Sequence, residues 1–282
     1  MKRWSSLSIS LVASLSLGAP LSKQQGTMRD MMTFERPIEM HDSVWIEELT
    51  MIEVRDLLRS GTNTALILTG GIEENGPYLT TGKHNHVLRV TGDAIARRLR
   101  KTLVAPIVTI EPGDPETATS PGGIRYSQDT YRAVLRDYAT SLQAQGFTQI
   151  FLLGDSGSNT RGMADVAEEL SAAWEGKGVI VAHIPEYYNY AEVHAYQRDV
   201  LGVDEDPRLE GLHDDYYVTT IIMNDDPAYV RFEQRLAAGK ATINGISISP
   251  LDKSLRHGRR LIEFRTDVTI KAINEVIAAR KR

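Results

Sequence analysis

The chain has 282 residues, of which 41% are hydrophobic and 24% charged, with a formal net charge of -5 and no cysteine. This is the composition of a globular protein long enough for one large core, and its interspersed charges form no basic stripe of the kind that nucleic acid requires of a partner. Without cysteine there are no disulfides, thiolate metal sites or cysteine nucleophiles, so His, Asp and Glu are the strong metal ligands available.

Lys2 and Arg3 precede a stretch from Leu7 to Ala19 that mixes Leu, Ile, Val and Ala with Ser. It reads as a secretory leader over residues 1–22, which implies export to the periplasm or medium; a cytoplasmic protein with an N-terminal tail is the other reading. No later run has the apolar length of a membrane span. Residues 23–43 lack periodicity and read as a linker, so the folded domain is expected over 44–282.

Thr50 followed by Glu53 has capping-box spacing ahead of Val54, Leu57 and Leu58, which predicts a short helix stopped by Gly61. Strand and helix patterns then alternate. Strands are expected over 64–69, 103–110, 149–153 and 179–184, and helices over about 87–100, 128–145 and 161–174, with Ser127 as a cap and Gly146 as a stop. A long helix, roughly 255–280, places Leu261, Phe264, Val268, Ile273 and Ile277 on one stripe. The fold class is therefore α/β, a three-layer α/β/α sandwich with a mostly parallel central sheet. In such sheets ligands bind beyond the carboxyl ends of the strands, where loops 70–86, 111–126 and 154–160 should gather.

The first of these loops carries Glu73, Asn75, Tyr78, Lys83 and His84 among glycines; the third reads Gly154-Asp155-Ser156-Gly157-Ser158-Asn159; a further cluster holds His213, Asp214, Asp215, Tyr216 and Tyr217. At these residues the chain resembles the creatininase (creatinine amidohydrolase) family, whose first motif is approximately Gly-Ser-x-Glu-Gln-His-Gly-Pro-His-Leu-Pro-Leu-Gly-Thr-Asp. Glu73, Gly76, Pro77, Leu79 and Gly82 fall on it without a gap. Gly154 to Asn159 match the second motif, Asn-Gly-His-Gly-Gly-Asn, at Gly157 and Asn159. Pro121-Gly122-Gly123-Ile124 is similar to the family's Pro-Gly-Thr-Ile loop, and His213 sits where the family has His-Ala-Gly. The resemblance covers about residues 45–225.

It implies a compact α/β fold, a homo-oligomer, and a divalent metal pair activating water to open cyclic amides or related C–N bonds of a small molecule. Departures lie at the metal positions. The family's ligand histidine two residues after Glu73 is Asn75, its bridging aspartate is His84, its second-loop histidine is Ser156, and Ser158 replaces a further carboxylate. A single metal held by Glu73, His84 and Asp155 is the expected alternative, an imidazole and two carboxylates suited to Zn²⁺ with an open water position, or to Mn²⁺ or Fe²⁺. Equally, Glu73 could be a loop carboxylate bound to backbone N–H groups, His84 a helix-terminal residue beside a capping Asn85, and Asp155 a turn former.

His213 and Asp214 are the catalytic candidates, His213 as general acid or to polarise a carbonyl. Asn75, Tyr78, Ser156 and Asn159 are the substrate-binding candidates, and Lys83 reads as solvated. Two rival functions stand beside the hydrolase: a non-catalytic descendant that keeps the pocket for a small polar ligand, and a serine esterase using Ser156 in a near Gly-x-Ser-x-Gly turn.

Overall fold

The computed structural model describes residues 31–280, so the expected leader over 1–22 lies outside the described residues. The chain divides between Glu39 and Met40, and the larger unit, Met40–Arg282, carries the sheet and every site residue.

That unit opens with helix α1 (Met51–Arg59), where Thr50 accepts from the Glu53 amide and the Glu53 side chain returns to the Thr50 amide, the reciprocal bonding of the capping box. Strand β1 (Thr64–Thr69) is buried along all six residues. It sits second in a four-stranded sheet of order β2-β1-β3-β4, with β2 (Thr102–Val104), β3 (Gln149–Gly154) and β4 (Ile180–His183), every pair parallel. Strand β2 is shorter than the 103–110 expected. Past Val104 the backbone still donates to β1 from Ala105 to Leu66 and from Val108 to Leu68, but three residues around Pro106 span two of β1, so the regular register ends at Val104 and Val108 makes one further bridge, to Thr69.

Alternation decides the layers. Ala65 and Ile67 of β1 and Ile150 and Leu152 of β3 face one side, packing under α3 (Gln128–Gln145) and α4 (Asn159–Ala173). Leu66, Leu68, Phe151 and Leu153 face the other, under α2 (Lys83–Leu99) and the last helix, α8 (Leu251–Arg280). Ser127 caps α3, and Gly146 at φ 107° ends it in the left-handed conformation that glycine adopts without a Cβ penalty.

A third apolar cluster lies beside this sandwich, built from α5 (Tyr190–Leu201), α6 (Tyr216–Ile222), α7 (Phe232–Ala237), a small antiparallel hairpin (β5, Thr242–Ile243; β6, Ile246–Ser247) and the adjoining faces of α2 and α8. Two helices begin about four residues earlier than their periodicity indicates. For α2 the reason is chemical: Lys83, which reads as solvated, and His84, which reads as a loop ligand or a helix-terminal residue, are buried and belong to its first turn.

The strand order fixes where a ligand could go. Strands β1 and β3 are neighbours but not consecutive, and the helices following them cover opposite faces of the sheet. Their loops therefore part at the topological switch point, the place where open α/β sheets bind ligands.

Candidate functional site

Thr69 and Gly154, the last residues of β1 and β3, are register partners, so the loops that leave them start side by side. Asn159 knits them together, its buried amide donating to the carbonyls of Thr69 at 2.8 Å and Gly70 at 2.9 Å. This turn brings Asp155 against the first turn of α2.

There Glu73, His84 and Asp155 form a hydrogen-bonded chain. Nδ1 of His84 donates to Asp155 Oδ2 at 2.9 Å and Nε2 to Glu73 Oε1 at 2.6 Å. The other Asp155 oxygen, Oδ1, accepts from Arg265 Nη2 at 2.8 Å, and the same nitrogen donates to the Tyr187 carbonyl at 2.9 Å while the guanidinium stacks on the Tyr187 ring. Lys83 Nζ lies 3.2 Å from Glu73 Oε1 and donates to the His213 carbonyl. Two carboxylates are thus enclosed by an imidazole, an ammonium and a guanidinium, all nearly buried.

The electrostatics follow from this enclosure. Burial pulls the His84 pKa down, but the hydrogen bonds and charges of Asp155 and Glu73 outweigh it and hold the imidazole up to about 9. Burial alone would raise Glu73, yet the His84 hydrogen bond and charge, then Lys83 and His213, hold it well below the usual carboxylate range. Asp155 is likewise lowered, burial being overcome by Arg265 and His84.

A second knot surrounds Glu111, which is 2% exposed. Its Oε2 accepts from the hydroxyls of Ser156 and Ser158, and its Oε1 pairs with Arg125 Nη1 at 2.6 Å. Arg125 also donates to the Ile72 carbonyl, tying the 111–126 loop to the loop after β1. Beside this pair opens a cavity of about 140 Å³ lined by Glu74, Asp114, Thr117, Ser120, Gly123 and Arg125.

The catalytic candidates diverge. His213 has an exposed side chain and a left-handed backbone at φ 55°, its Nδ1 donating to the Glu74 carbonyl at 2.9 Å so that Nε2 points toward Glu73 Oε1, 3.7 Å away. Asp214 is 3% exposed, and neither carboxylate oxygen has a hydrogen-bond partner among the described residues; burial raises its pKa, with Arg235 opposing. Tyr188 is half-buried beside Gly157, and burial, then the Asp155 charge, raise its hydroxyl.

Several expectations need correction. Lys83 is not solvated but buried against Glu73. Asn85 does not cap α2, whose N-cap is Gly82; its amide instead bonds the carbonyls of Gly71 and Thr109. The polar groups of three substrate-binding candidates are committed elsewhere: Asn75 braces its own loop through the carbonyls of Glu73 and Thr80, Asn159 braces β1, and Ser156 bonds Glu111. Tyr78 carries the Arg235 guanidinium over its ring at 4.4 Å. Ser156 has no histidine among its hydrogen-bond partners, so the residues of a serine esterase do not assemble around it.

The expected metal ligands meet, but not as a metal cage. A ligating imidazole must offer a lone pair, and both His84 nitrogens are spent on carboxylates; Asp155 is bonded through both oxygens, to His84 and to Arg265, and the Lys83 ammonium beside Glu73 Oε1 opposes a second cation there. Among the described residues no group of three His, Asp or Glu side chains is arranged to hold a metal ion. The residues present do not fit the metal.

Reading the sequence missed Arg265 and Glu111. Arg265 had a signal: it lies at i+4 from Leu261 and i-4 from Thr269, in the middle of the buried face of α8, where an arginine requires a buried anion. Glu111 had none, being one acidic residue in a loop.

A family model described as Creatininase: Creatinine amidohydrolase matches residues 47–270. No curated protein matches the chain by sequence. Among solved structures, a creatininase bearing a tryptophan-to-alanine substitution is 17% identical with a TM-score of 0.61, covering 83% of this chain and 98% of its own. A glutamate-to-glutamine creatininase of Zn-Zn type (18% identical, TM-score 0.55) covers 86% of this chain and 98% of its own. The same kind of variant complexed with creatine (17% identical, TM-score 0.56) covers 83% and 98%. At these identities the likeness establishes the fold.

Proposed function

Because the chain belongs to the creatininase family, we propose that it keeps the family's crevice as a binding site for a small polar molecule and does not work through a metal-activated water. One observation carries this: each ring nitrogen of His84 is already bonded to a carboxylate, which satisfies internally the groups that would otherwise converge on a cation.

The rim suits a compact neutral or zwitterionic ligand with donors and acceptors close together. His213 Nε2 lies 3.7 Å from Glu73 Oε1, and the Tyr188 hydroxyl lies close enough for the Asp155 and Glu73 charges to raise its pKa. His213 orients the ligand through Nε2, its ring held by the Glu74 carbonyl, while Lys83 and Arg265 keep the carboxylates beneath it ionised and in place.

Creatine, found in a related structure, is the first probe for calorimetric titration, followed by small linear and cyclic amides. Binding that persists with a chelator present and weakens in His213→Ala supports the reading. Amide turnover that a chelator stops and Zn²⁺ or Mn²⁺ restores would overturn it in favour of the second reading, a metal-dependent hydrolase of a C–N bond. That reading is favoured by the family match and by Glu73 on the family motif. The sequence adds two further proposals, export through a leader over residues 1–22 and assembly as a homo-oligomer, which cell fractionation and light scattering test.

A further inference from the structure

Glu73 has Lys83 beside it and Asp155 has Arg265, and the His84 ring joins the two carboxylates. Glu73 and Asp155 are both buried, and an unpaired buried carboxylate is strongly disfavoured. His84 lies between them, 2.6 Å from one and 2.9 Å from the other, on a helix whose register holds the ring there. An ionised carboxylate only accepts hydrogen bonds, so a ring bonded to ionised Glu73 on one side and ionised Asp155 on the other donates from both nitrogens, which defines an imidazolium.

We infer that the protonated His84 ring is a built-in cation that takes over the charge-neutralising part a divalent metal ion would play between Glu73 and Asp155, with Lys83 and Arg265 adding one further positive charge beside each carboxylate, so that the loss of the metal and the gain of this histidine are one change. This deepens the reading of a metal-free crevice and rests on it. The residue position agrees: the family's first motif ends in an aspartate where this chain has His84, so an anion that would bridge metals has become the cation that replaces them. The second knot is the complementary adjustment. Ser156 and Ser158, at two more of the family's ligand positions, are hydroxyl donors rather than lone-pair donors to a metal, and they spend their protons on Glu111, which Arg125 balances.

The test is metal binding by the full-length protein, purified without an affinity tag and treated with chelator, measured by equilibrium dialysis with Zn²⁺ and with Mn²⁺. Wild type is expected to take up no stoichiometric metal. His84→Asp, which exchanges the cation for an acceptor between the same two carboxylates, is expected to bind Zn²⁺ about 100-fold more tightly than wild type, the order set by reversing a buried charge. Adding Glu73→Gln should cancel the gain. Tight stoichiometric metal in wild type that His84→Ala abolishes would overturn the inference, as would a folded His84→Asp with no gain.

Should His84→Asp fail to fold, ¹⁵N spectroscopy of the wild-type imidazole decides: protons on both nitrogens at pH 7 support the built-in cation, and a single-proton tautomer overturns it. Ligand titration separates the two levels, because a crevice that binds none of the probes defeats the binding reading while leaving the metal and ¹⁵N results unchanged.

Discussion

Arg265, midway along the last helix, donates from Nη2 to Oδ1 of Asp155 at 2.8 Å, fastening the C-terminal helix to the end of the central strand β3 across 110 residues of sequence. Both side chains are about 5% exposed, so neither charge has water as a substitute partner. Removing one partner leaves a buried uncompensated charge, and Arg265→Met is expected to lower stability by about 3–5 kcal/mol in urea denaturation. Combined with Asp155→Asn, the loss should be less than the sum of the single losses, with a coupling of about 0.5–3 kcal/mol.

Stability should depend on pH at both ends. The His84 pKa is raised in the fold from 6.5 to about 9, so its contribution is complete below about pH 6.5 and is lost as pH rises through about 9. The scale is on the order of 3 kcal/mol. Glu73 and Asp155 are lowered from 4.5 and 3.8, so their contribution is present above those values and is lost as pH falls through the lower values they have in the fold. Denaturation midpoints from pH 3 to 10 should form a plateau near pH 5–6.5 that falls on either side, and His84→Gln should flatten the alkaline limb.

Ser156 donates to Glu111, a carboxylate already shared with Ser158 and paired with Arg125, and no histidine is among its hydrogen-bond partners, so the serine–histidine pair of an esterase is not formed. A fluorophosphonate probe should leave the wild type unlabelled by intact mass. Ser156→Ala, which removes one hydrogen bond to a carboxylate, is expected to destabilise by about 1.5–3 kcal/mol. Labelling of the wild type that disappears in this variant would restore the esterase.

Helices α6 and α8 touch at Gly258, where a Cβ would collide with the Thr220 carbonyl and the Asn224 amide. Backbone cannot move aside as a flexible side chain can. Gly258→Ala is expected to lower stability by about 1–3 kcal/mol or more by thermal melting.

The fold was more legible than the site, and the particular residues show why. The apolar runs of β1 and β3 and the Ser127 and Gly146 boundaries of α3 are local signals, since a strand buried on both faces and a capped amphipathic helix each follow from their own residues. Strand β2 was overextended because apolar residues continue past Pro106, where the register against β1 slips by one residue. Lys83 misled for another reason. A lysine beside glycines reads as surface, and its burial depends on Glu73 lying 3.2 Å away.

By itself the sequence determined the layers, the parallel sheet and the gathering of Glu73, His84 and Asp155 at the strand ends, because strand order and connection handedness leave little choice about where such loops emerge. What those residues do to one another was decided only by the tertiary structure. An imidazole and two carboxylates have the same composition in a metal cage and in an ion-paired chain; the difference is which lone pairs are free. That depends on Arg265, 110 residues from Asp155 in sequence, and on a helix register that aims both nitrogens of His84 at carboxylates.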